Sequence, residues 1–527
     1  MILKKHLLRA SLLLIVVAAG FLCAYAVWKV PGSTAPVQSQ GSQVRPQNSF
    51  PGASSRLADR PGQMPGGQLA SPGPARQPMP FRAGMPGGAA STGAGYASQL
   101  IAYALLFAIL FVAVFLLYRY KRWKINPGDA AILILTLLCA GLLLRIAAAT
   151  LIAGHPFDIN TFKSWATAAA NNLPTFYANP RPSDYPPLYI YVLFVIGKIA
   201  SIPAISPYGT LLLKLPSIAA DIATSYLIYR LAKKYLTLET STILAAFYIF
   251  NPAVLINSTI WGQVDSFFTL IVLSAVVMLA EHKIGWAAAL FAAAVMMKPQ
   301  GIIFLPVLFF ELIRQKSLIN WLKVILSALS TAAVIILPFS LNRGVLWIFQ
   351  LFATAVSEYP YASVNAFNFF GLLGANYTRD ATTLFVLSYH SWGLIFIVTI
   401  TALAWFIYIK GNNSAFAAAA ALLLIAGVFT FATGMHERYL FPAVALSMLA
   451  FIYLRDSRLL LLPLGFSATV YINTHYVLVA TMKGINAMPY NPVLIITATL
   501  NLLLFAYLAK VLLEIANVAS LTRSKGD

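Results

Sequence analysis

Four short polar segments interrupt an otherwise apolar chain, and their side chains could transfer protons and hold a phosphate. They read GHPFDINTFKSWA at 154–166, WGQVDS at 261–266, MKPQG at 297–301 and GMHERY at 434–439. Only 10% of the 527 residues are charged, and 60% are hydrophobic. A charged side chain at the edge of a membrane span is costly, so its presence indicates function. We therefore expect these segments to form an enzyme site at a membrane surface.

Asp158 is the first candidate for acid–base chemistry, because it follows directly on the apolar run at 130–152. A carboxylate in a loop outside the membrane is ionised near pH 7 and can accept a proton. Asp158 could also cap a helix that begins near Ile159, and capping does not exclude catalysis. Lys163 could pair with Asp158 or contact a phosphate, or it could be a solvated side chain.

Asp184, in RPSDYPPL at 181–188, is the next acid along the chain. It could position an acceptor, or it could form the turn before a helix that starts with proline. Gln263 and Asp265 lie at the start of an apolar run, where a buried carboxylate needs a partner. We expect both to contact the sugar or the acceptor, with helix capping as the alternative for Asp265.

Three side chains are candidates for holding a phosphate. Lys298 would bind it as a compact charge, and Pro299 would break the helix beside it. Arg438 could donate two N–H bonds to a phosphate, and His436 could donate one. The alternatives are a helix-end anchor for Lys298 and an ion pair between Arg438 and Glu437.

Aromatic side chains near these groups could stack on sugar rings, or they could belong to the interfacial belt of a membrane protein. They are Trp165, Tyr185, Trp261 and Tyr439. The sequence has no metal-binding histidine motif, no glycine-rich phosphate loop and no DxD motif. Its two cysteines cannot form a metal cluster. The missing phosphate loop and DxD motif favour a lipid-linked sugar donor over a nucleotide sugar.

Composition places these segments on membrane helices. The mean hydropathy is +0.78, and more than a dozen apolar runs approach the roughly 20 residues that a spanning helix needs. The net charge is +21, mostly in short clusters at helix ends. That pattern is typical of cytoplasmic ends of spans and does not indicate nucleic-acid binding. The sequence thus predicts an all-α, polytopic membrane bundle of about 13–15 transmembrane helices.

The chain divides into five segments. Residues 1–30 form a membrane anchor or signal-like segment, and 31–97 form a disordered extracytoplasmic linker rich in proline, glycine and serine. Residues 98–124 form a span with a basic cytoplasmic end, 125–519 the polytopic body and 520–527 a cytoplasmic tail. This orientation puts Asp158 and the GMHERY segment outside the cytoplasm.

The number of apolar runs in the middle of the chain does not fit that orientation. Six apolar runs between 187 and 313 give an even number of crossings, whereas the basic clusters require an odd number. One run must therefore be re-entrant, or two must form one broken helix, for which the Pro299 region is a candidate. Two loops, 153–185 and 340–390, are long enough to fold outside the membrane. We expect an amphipathic surface helix in the first and a lid or lipid-contacting loop in the second.

Several motifs occur in an order that resembles a known family. After the Asp158 loop come DYPPLYIYV at 184–192, KLPSIAADIATS at 214–225, WGQVDSF, KPQ and MHERYLFP. The chain resembles the C-type (GT-C) superfamily of integral membrane glycosyltransferases over roughly residues 125–515. It is most similar to bacterial relatives of the second mannosyltransferase of GPI-anchor synthesis. The anchor and linker are not covered.

The resemblance implies an inverting hexosyltransferase, most simply a mannosyltransferase, at the outer face of the plasma membrane. The donor would be a polyprenyl-phosphate sugar, and the acceptor a glycan, a lipid or a protein. Asp158 would be the catalytic residue, as the acid of the first outer loop. Many members carry two acids in this loop, but Ile159 and Asn160 follow here. A divalent cation held by an acidic pair is therefore an open question.

Two other functions fit the same features. Broken helices and intramembrane charges also occur in transporters, so a flippase of lipid-linked saccharides is one alternative. A ligase that transfers a whole lipid-linked glycan is the other. The polar segments cluster at predicted helix ends and the sequence shows no repeat, which favours an enzyme.

Overall fold

The computed structural model is almost entirely helical. It describes residues 2–30, 94–121, 124–178, 183–341, 343–344 and 346–524. The predicted all-α membrane bundle is confirmed. The predicted disordered linker, up to residue 93, lies outside the described residues.

The described part of the chain contains nineteen α-helices. In chain order they are α1 Ile2–Lys29, α2 Ala97–Lys121, α3 Ala130–Leu151, α4 Pro156–Asn171, α5 Pro187–Ala200, α6 Gly209–Tyr235, α7 Leu238–Ile249, α8 Pro252–Leu255, α9 Asp265–Ala280, α10 Ile284–Met297, α11 Leu305–Gln315, α12 Leu318–Ser340, α13 Trp347–Ser357, α14 Phe369–Leu372, α15 Tyr389–Gly411, α16 Ala417–Phe431, α17 Pro442–Leu454, α18 Leu461–Met482 and α19 Pro492–Ser524. Two short strands, β1 Thr383–Leu384 and β2 Leu387–Ser388, pair antiparallel in one hairpin.

Within the described residues, nine helices are long and apolar enough to cross a membrane. They are Arg9–Lys29, Ala97–Tyr120, Pro127–Leu151, Ser206–Tyr235, Leu238–Trp261, Leu318–Ser340, Tyr389–Gly411, Ser414–Phe431 and Pro492–Leu521. Five further apolar helices are shorter: Pro187–Ala200, Asp265–Ala280, Ile284–Met297, Trp347–Ser357 and Pro442–Leu454. The chain is a multi-pass membrane protein. Helices suit the interior of a lipid bilayer because their backbone N–H and C=O groups form hydrogen bonds within the same segment.

The core of the bundle lies around α16 and α17. Every residue of α16 from Ala417 to Thr430 is buried, and so are eleven consecutive residues of α17, Pro442–Ile452. By contrast α12 has only three buried residues, Val324, Ile335 and Phe339. The helices with one buried stripe therefore surround a centre whose helices are buried all round, as expected for a large bundle.

One end of the bundle carries most of the basic side chains, and we call it the basic end. There Lys234 of α6 pairs with Glu281 after α9 at 3.1 Å. The guanidinium of Arg455, after α17, lies 5.5 Å from the ring centroid of Tyr235. The Ser414 hydroxyl, just before α16, donates to the carbonyl of Ala280. These contacts bring the ends of four elements to one face.

The even number of apolar runs between 187 and 313 is explained by α4 and α5, which pack together at the end of the bundle opposite the basic end. A Cβ on Gly197 of α5 would lie 2.2 Å from the carbonyl oxygen of Ala166 in α4. Both ends of this segment stay at one face, because Lys214, near the start of α6, donates to the carbonyl of Ile152 after α3 at 2.6 Å. The apolar run at 187–203 is therefore not a crossing.

The chain also breaks where sequence predicted, beside Pro299. Helix α10 ends at Met297, a 3₁₀ segment covers Pro299–Phe304, and α11 then begins. A second break is a π-helical segment at Ile256–Trp261, which follows α8. Irregular backbone at membrane depth is tolerated where protein buries it, and such π segments are frequent at functional sites.

The close contact between α4 and α5 can be tested with Gly197→Ala. The added methyl group would overlap the Ala166 carbonyl and the Ala170 side chain, so we expect a loss of roughly 1–3 kcal/mol in stability. Thermal unfolding of the purified protein in detergent measures it. Gly209→Ala is the control, since nothing lies within 4 Å of its Cβ position. Equal melting temperatures for the two variants would contradict this packing.

Candidate active site

Asp158 is held by two side chains at the end of the bundle opposite the basic end. The indole N–H of Trp261 donates to its Oδ2 at 2.7 Å, and Nδ1 of His155 lies 2.7 Å from the same oxygen. The His155 ring also stacks on Trp261, with centroids 5.2 Å apart. Both contacts use Oδ2, and the side chain remains 17% exposed. The carboxylate is therefore fixed in place but still open to the site.

Two glycines let the backbone around Asp158 and Trp261 come together. Gly154 has φ +98°, and a Cβ there would lie 2.8 Å from the carbonyl of Trp261. Gly262 has φ +89°, and a Cβ there would lie 2.6 Å from Ile159. A side chain would be strained at this φ and would also clash, so glycine is required at both positions. The amide of His155 then donates to the Trp261 carbonyl at 3.0 Å.

Asp265 is the buried carboxylate at the centre of the site. Its Oδ1 accepts from Lys298 at 2.5 Å, and its Oδ2 accepts from the Asn257 amide at 3.0 Å. Lys298 stands just after α10, Asn257 lies in the π-helical segment and Asp265 begins α9. The end of one helix, a π-helical segment and the start of another helix thus meet at one carboxylate. A charge this deeply buried needs such partners.

Arg438 links Asp265 to the Asp158 side of the site. Its Nε lies 3.6 Å from Oδ2 of Asp265, its Nη1 pairs with Glu437, and its guanidinium carbon is 5.4 Å from the Trp261 ring centroid. The segment around Arg438 is held from outside by the loop before α14. There the amide of Val364 donates to Met435.

Several buried polar atoms of the site have no hydrogen-bond partner within the described part of the chain. They are Nε of Arg438, Nε2 of His436 and both amide atoms of Gln263. Buried polar atoms in folded proteins are nearly always bonded to protein or water, so such a group indicates a place for a polar ligand or for water. Burial, helped by the charges of Arg438 and Lys298, lowers the pKa of His436 to about 3. His436 is therefore neutral while the site holds no anion.

Asp184 and Tyr185 reach the same cluster from the loop before α5. The ring centroid of Tyr185 is 5.4 Å from Nζ of Lys298 and 5.4 Å from the Trp165 ring. The turn here is made by Ser183, whose hydroxyl accepts from the Tyr185 amide at 2.9 Å. The Asp184 carboxylate is half-buried and forms no ion pair with any described residue. Among the described residues, Asp184 thus differs from Asp158, Asp265 and Glu437, which each form an ion pair.

The two loop acids have opposite pKa shifts. Burial opposes ionisation of Asp158, but the contact with His155, the charge of Arg438 and the Trp261 N–H outweigh it and hold its pKa well below the usual range. Burial raises the pKa of Asp184, and the Asp158 charge adds to this, although Lys298 and Arg438 oppose it. The surroundings therefore favour the ionised form of Asp158 and make it a weak base, whereas Asp184 is the stronger base of the two.

The structure brings most of the predicted site residues into one continuous cluster. Asp158, Trp165, Tyr185, Asp265, Lys298, His436 and Arg438 are linked by the contacts above or through Tyr439, whose ring lies 4.9 Å from His436 and 5.9 Å from Lys298. Asp184 and Gln263 are their chain neighbours. Lys163 is exposed and forms no described ion pair with Asp158.

The helix start expected near Ile159 was wrong, and one partner was missed. Helix α4 begins at Pro156, so His155 occupies the N-cap position and Asp158 lies within the first turn. On this helix Phe157 is 52% exposed and Ile159 is buried. His155 itself was overlooked, although its position three residues before Asp158 on a helix start was a usable signal. No three of His, Cys, Asp and Glu come together as a metal site within the described residues.

The buried pair of Asp265 and Lys298 can be tested by a double-mutant cycle. Lys298→Met leaves a buried carboxylate with fewer partners, so it should cost roughly 3–5 kcal/mol. Asp265→Asn should cost a similar amount, while the double variant should cost clearly less than the sum of the two. Thermal unfolding in detergent measures all four proteins. Additive losses would show that the two side chains do not interact.

The comparisons with known proteins do not assign this chain to a family. No protein-family model matches it, and a search of well-characterised proteins finds no significant match. The resemblance to C-type glycosyltransferases therefore stays a prediction, carried by the motifs of this sequence and judged by the chemistry of the site.

Proposed function

We propose that this protein is a membrane glycosyltransferase of the C type, which moves one sugar from a polyprenyl-phosphate donor to an acceptor hydroxyl. The observation that carries the proposal is the site itself. A fixed carboxylate, Asp158, lies one aromatic ring away from a buried cation, Arg438, which has an unpartnered N–H. Glycosyl transfer from a lipid phosphate requires a proton acceptor and a cationic group for the leaving phosphate, side by side.

In this mechanism the acceptor oxygen attacks the anomeric carbon as the bond from that carbon to the phosphate oxygen breaks. The acceptor proton passes to Asp158, and the leaving phosphate keeps the electron pair of the broken bond. Trp261 and His155 hold the carboxylate in one orientation. A fixed orientation lowers the entropy cost of reaching the reactive geometry.

The phosphate would be received by Arg438 and Lys298. Both cations are already paired with Glu437 and Asp265, so the phosphate would share them with these carboxylates. Nε of Arg438 lies 3.6 Å from Asp265 but forms no hydrogen bond with a described residue, so it can donate to a new acceptor, and a guanidinium has five N–H donors. The aromatic rings of Tyr185, Trp165 and Tyr439 border the same region and suit a sugar ring.

The site would face away from the cytoplasm. Lysine and arginine side chains gather at the opposite end of the bundle, where Lys234, Lys410 and Arg455 lie. Cytoplasmic ends of spans are enriched in these residues. Nucleotide sugars are cytoplasmic, so an outward site supports a lipid-linked donor, and the membrane concerned would be the plasma membrane.

Transport of a lipid-linked saccharide is the second candidate. One observation favours it: Arg145 and Asp221 form a fully buried ion pair at 3.1 Å between α3 and α6. Charges inside the bundle are typical of transporters. Ser258 donates to Oδ2 of Asp221 at 2.6 Å, while Nη2 of Arg145 and Oδ1 of Asp221 have no hydrogen-bond partner among the described residues. The enzyme is favoured by the cluster of Asp158, Asp265 and Arg438, where a proton acceptor and a cation lie close together.

Asp158→Asn tests the proton acceptor. We expect kcat for transfer from polyprenyl-phosphate mannose to fall roughly 10²- to 10⁴-fold with donor binding retained, because the amide cannot take the proton. Label transfer to a lipid extract by the purified protein measures it. Asp380→Asn is the matched control, since Asp380 also contacts a histidine, His390, at 3.2 Å but lies outside the site.

The pH dependence of kcat separates Asp158 from Asp184. With Asp158 as the base, its low pKa places the acidic limb below the ordinary aspartate value of about 3.9. A limb above that value that disappears in Asp184→Asn would move the base to Asp184, whose pKa is raised. Full activity of Asp158→Asn with mannose, glucose and arabinose donors would remove this mechanism.

Arg438→Gln tests the phosphate contact. Loss of a charged donor should raise the donor KM roughly 10- to 100-fold, with a smaller change in the KM for the acceptor. Initial-rate kinetics over both substrates give the two constants. Arg379→Gln is the control, because Arg379 is exposed on the loop after α14. Equal donor KM values in the two variants would assign Arg438 a structural role.

A further inference from the structure

A groove with a basic mouth lies between α10 and α12, far from the candidate active site. It has a volume of about 740 Å³ and is bordered by Lys283, Lys323 and His282 at one end. These residues belong to the basic end of the bundle, because His282 lies 3.5 Å from Ser414. Neither lysine forms an ion pair with a described residue, whereas Lys234 nearby is paired with Glu281. The mouth thus has positive charge that the protein does not neutralise.

A polar stripe continues from this mouth along the membrane helix. Lys323, Ser327, Ser330 and Thr331 recur at helical spacing on α12 and line the groove. From Lys323 to Ser330 the stripe covers two turns, roughly 10 Å along the axis. Large apolar side chains flank it, since Leu326 is 65% and Leu329 is 63% exposed. The groove therefore combines an apolar wall with polar groups in a fixed order.

The hydroxyls of this stripe differ from others in the membrane helices. Ser340, on the same helix, donates to the carbonyl of Ile336, and Thr399 of α15 donates to Ile395. Such bonds to the preceding turn are the usual way in which a hydroxyl is satisfied in lipid. Across the described residues, Ser327, Ser330 and Thr331 have no hydrogen-bond partner. An unsatisfied hydroxyl facing hydrocarbon is costly, which indicates a polar ligand at this depth.

Small residues on α10 open the space for that ligand. A Cβ on Gly285 would lie 3.3 Å from the Ser327 hydroxyl oxygen, and Ala289 follows one turn later. Trp286 borders the mouth and is 70% exposed, a position typical of the membrane interface. The groove therefore begins at headgroup level and continues into the acyl region.

We propose that this groove binds one anionic glycerophospholipid. Its phosphate contacts Lys283 and Lys323, its glycerol esters accept hydrogen bonds from Ser327 and Ser330, and one acyl chain lies along α12. Basic pockets between membrane helices suit anionic headgroups. A free phosphate would satisfy the mouth but not the hydroxyls below it. The proposal does not depend on sugar transfer.

The test is native mass spectrometry of the purified protein with dioleoylphosphatidylglycerol, dioleoylphosphatidylcholine or a polyprenyl phosphate added. The wild type should retain one phosphatidylglycerol more tightly than phosphatidylcholine. Lys283→Gln with Lys323→Gln should weaken phosphatidylglycerol roughly 10- to 30-fold, from the usual contribution of two lysines near a membrane surface. Lys410→Gln with Lys510→Gln is the charge-matched control, because both lysines lie at the basic end but outside the groove.

The double variant Ser327→Ala with Ser330→Ala keeps the charges and tests the proposed hydrogen bonds to the glycerol esters. This variant should weaken the binding of both lipids severalfold without changing the preference for phosphatidylglycerol. It tests whether the groove holds a lipid even if the lysine variant unfolds. Equal retention of the two lipids by the wild type, or equal losses in the lysine and control variants, would overturn the proposal. So would tighter retention of a polyprenyl phosphate that is lost in the lysine variant, since the occupant would then be the carrier lipid.

Discussion

The site depends on the buried carboxylate of Asp265. Left alone in an apolar bundle it would be too costly to ionise, so it requires partners. Its two hydrogen-bond donors and its second cation come from three separate breaks in the helices. Lys298 ends α10, Asn257 lies in the π-helical segment, and Arg438 follows α16. The need to satisfy one charge therefore determines where these breaks meet. Trp261, four residues after Asn257, is brought against Asp158 by the same arrangement.

The loop that carries Asp158 is held against the Asp265 cluster by the backbone geometry of two glycines. Gly154 and Gly262 have left-handed φ values and approach each other's segments more closely than any side chain would permit. Lys214 supports them from below by donating to the Ile152 carbonyl, and its Cε lies 3.3 Å from the Cβ position of Gly262. Asp158 thus owes its position to a buried lysine and two glycines, none of which takes part in the proposed chemistry.

The sequence predicted the fold class and most site residues because polar groups are rare enough in this chain to be informative. It could not predict which apolar runs cross the membrane, since α5 is as apolar as a spanning helix and only its packing on α4 shows that it stays at one face. It misplaced the helix start at Asp158 because Pro156 was not recognised as the first helical residue. Nor could it give the basicity of Asp158, which depends on the contact with His155, on the charge of Arg438 and on Trp261, the last two far away along the chain.

The cations of the candidate site are already paired with carboxylates, and this pairing has a consequence for the proposed reaction. At the site end Lys298 and Arg438 are paired with carboxylates, so they stay in place without a ligand, and a phosphate must compete for them. Such competition weakens ground-state binding of the donor. In the proposed reaction the donor phosphodiester is already an anion, and the leaving phosphate gains a second negative charge as its bond to the sugar breaks. The leaving phosphate therefore competes for the cations better than the bound donor did. Paired cations therefore favour the transition state over the bound donor, which is what catalysis requires.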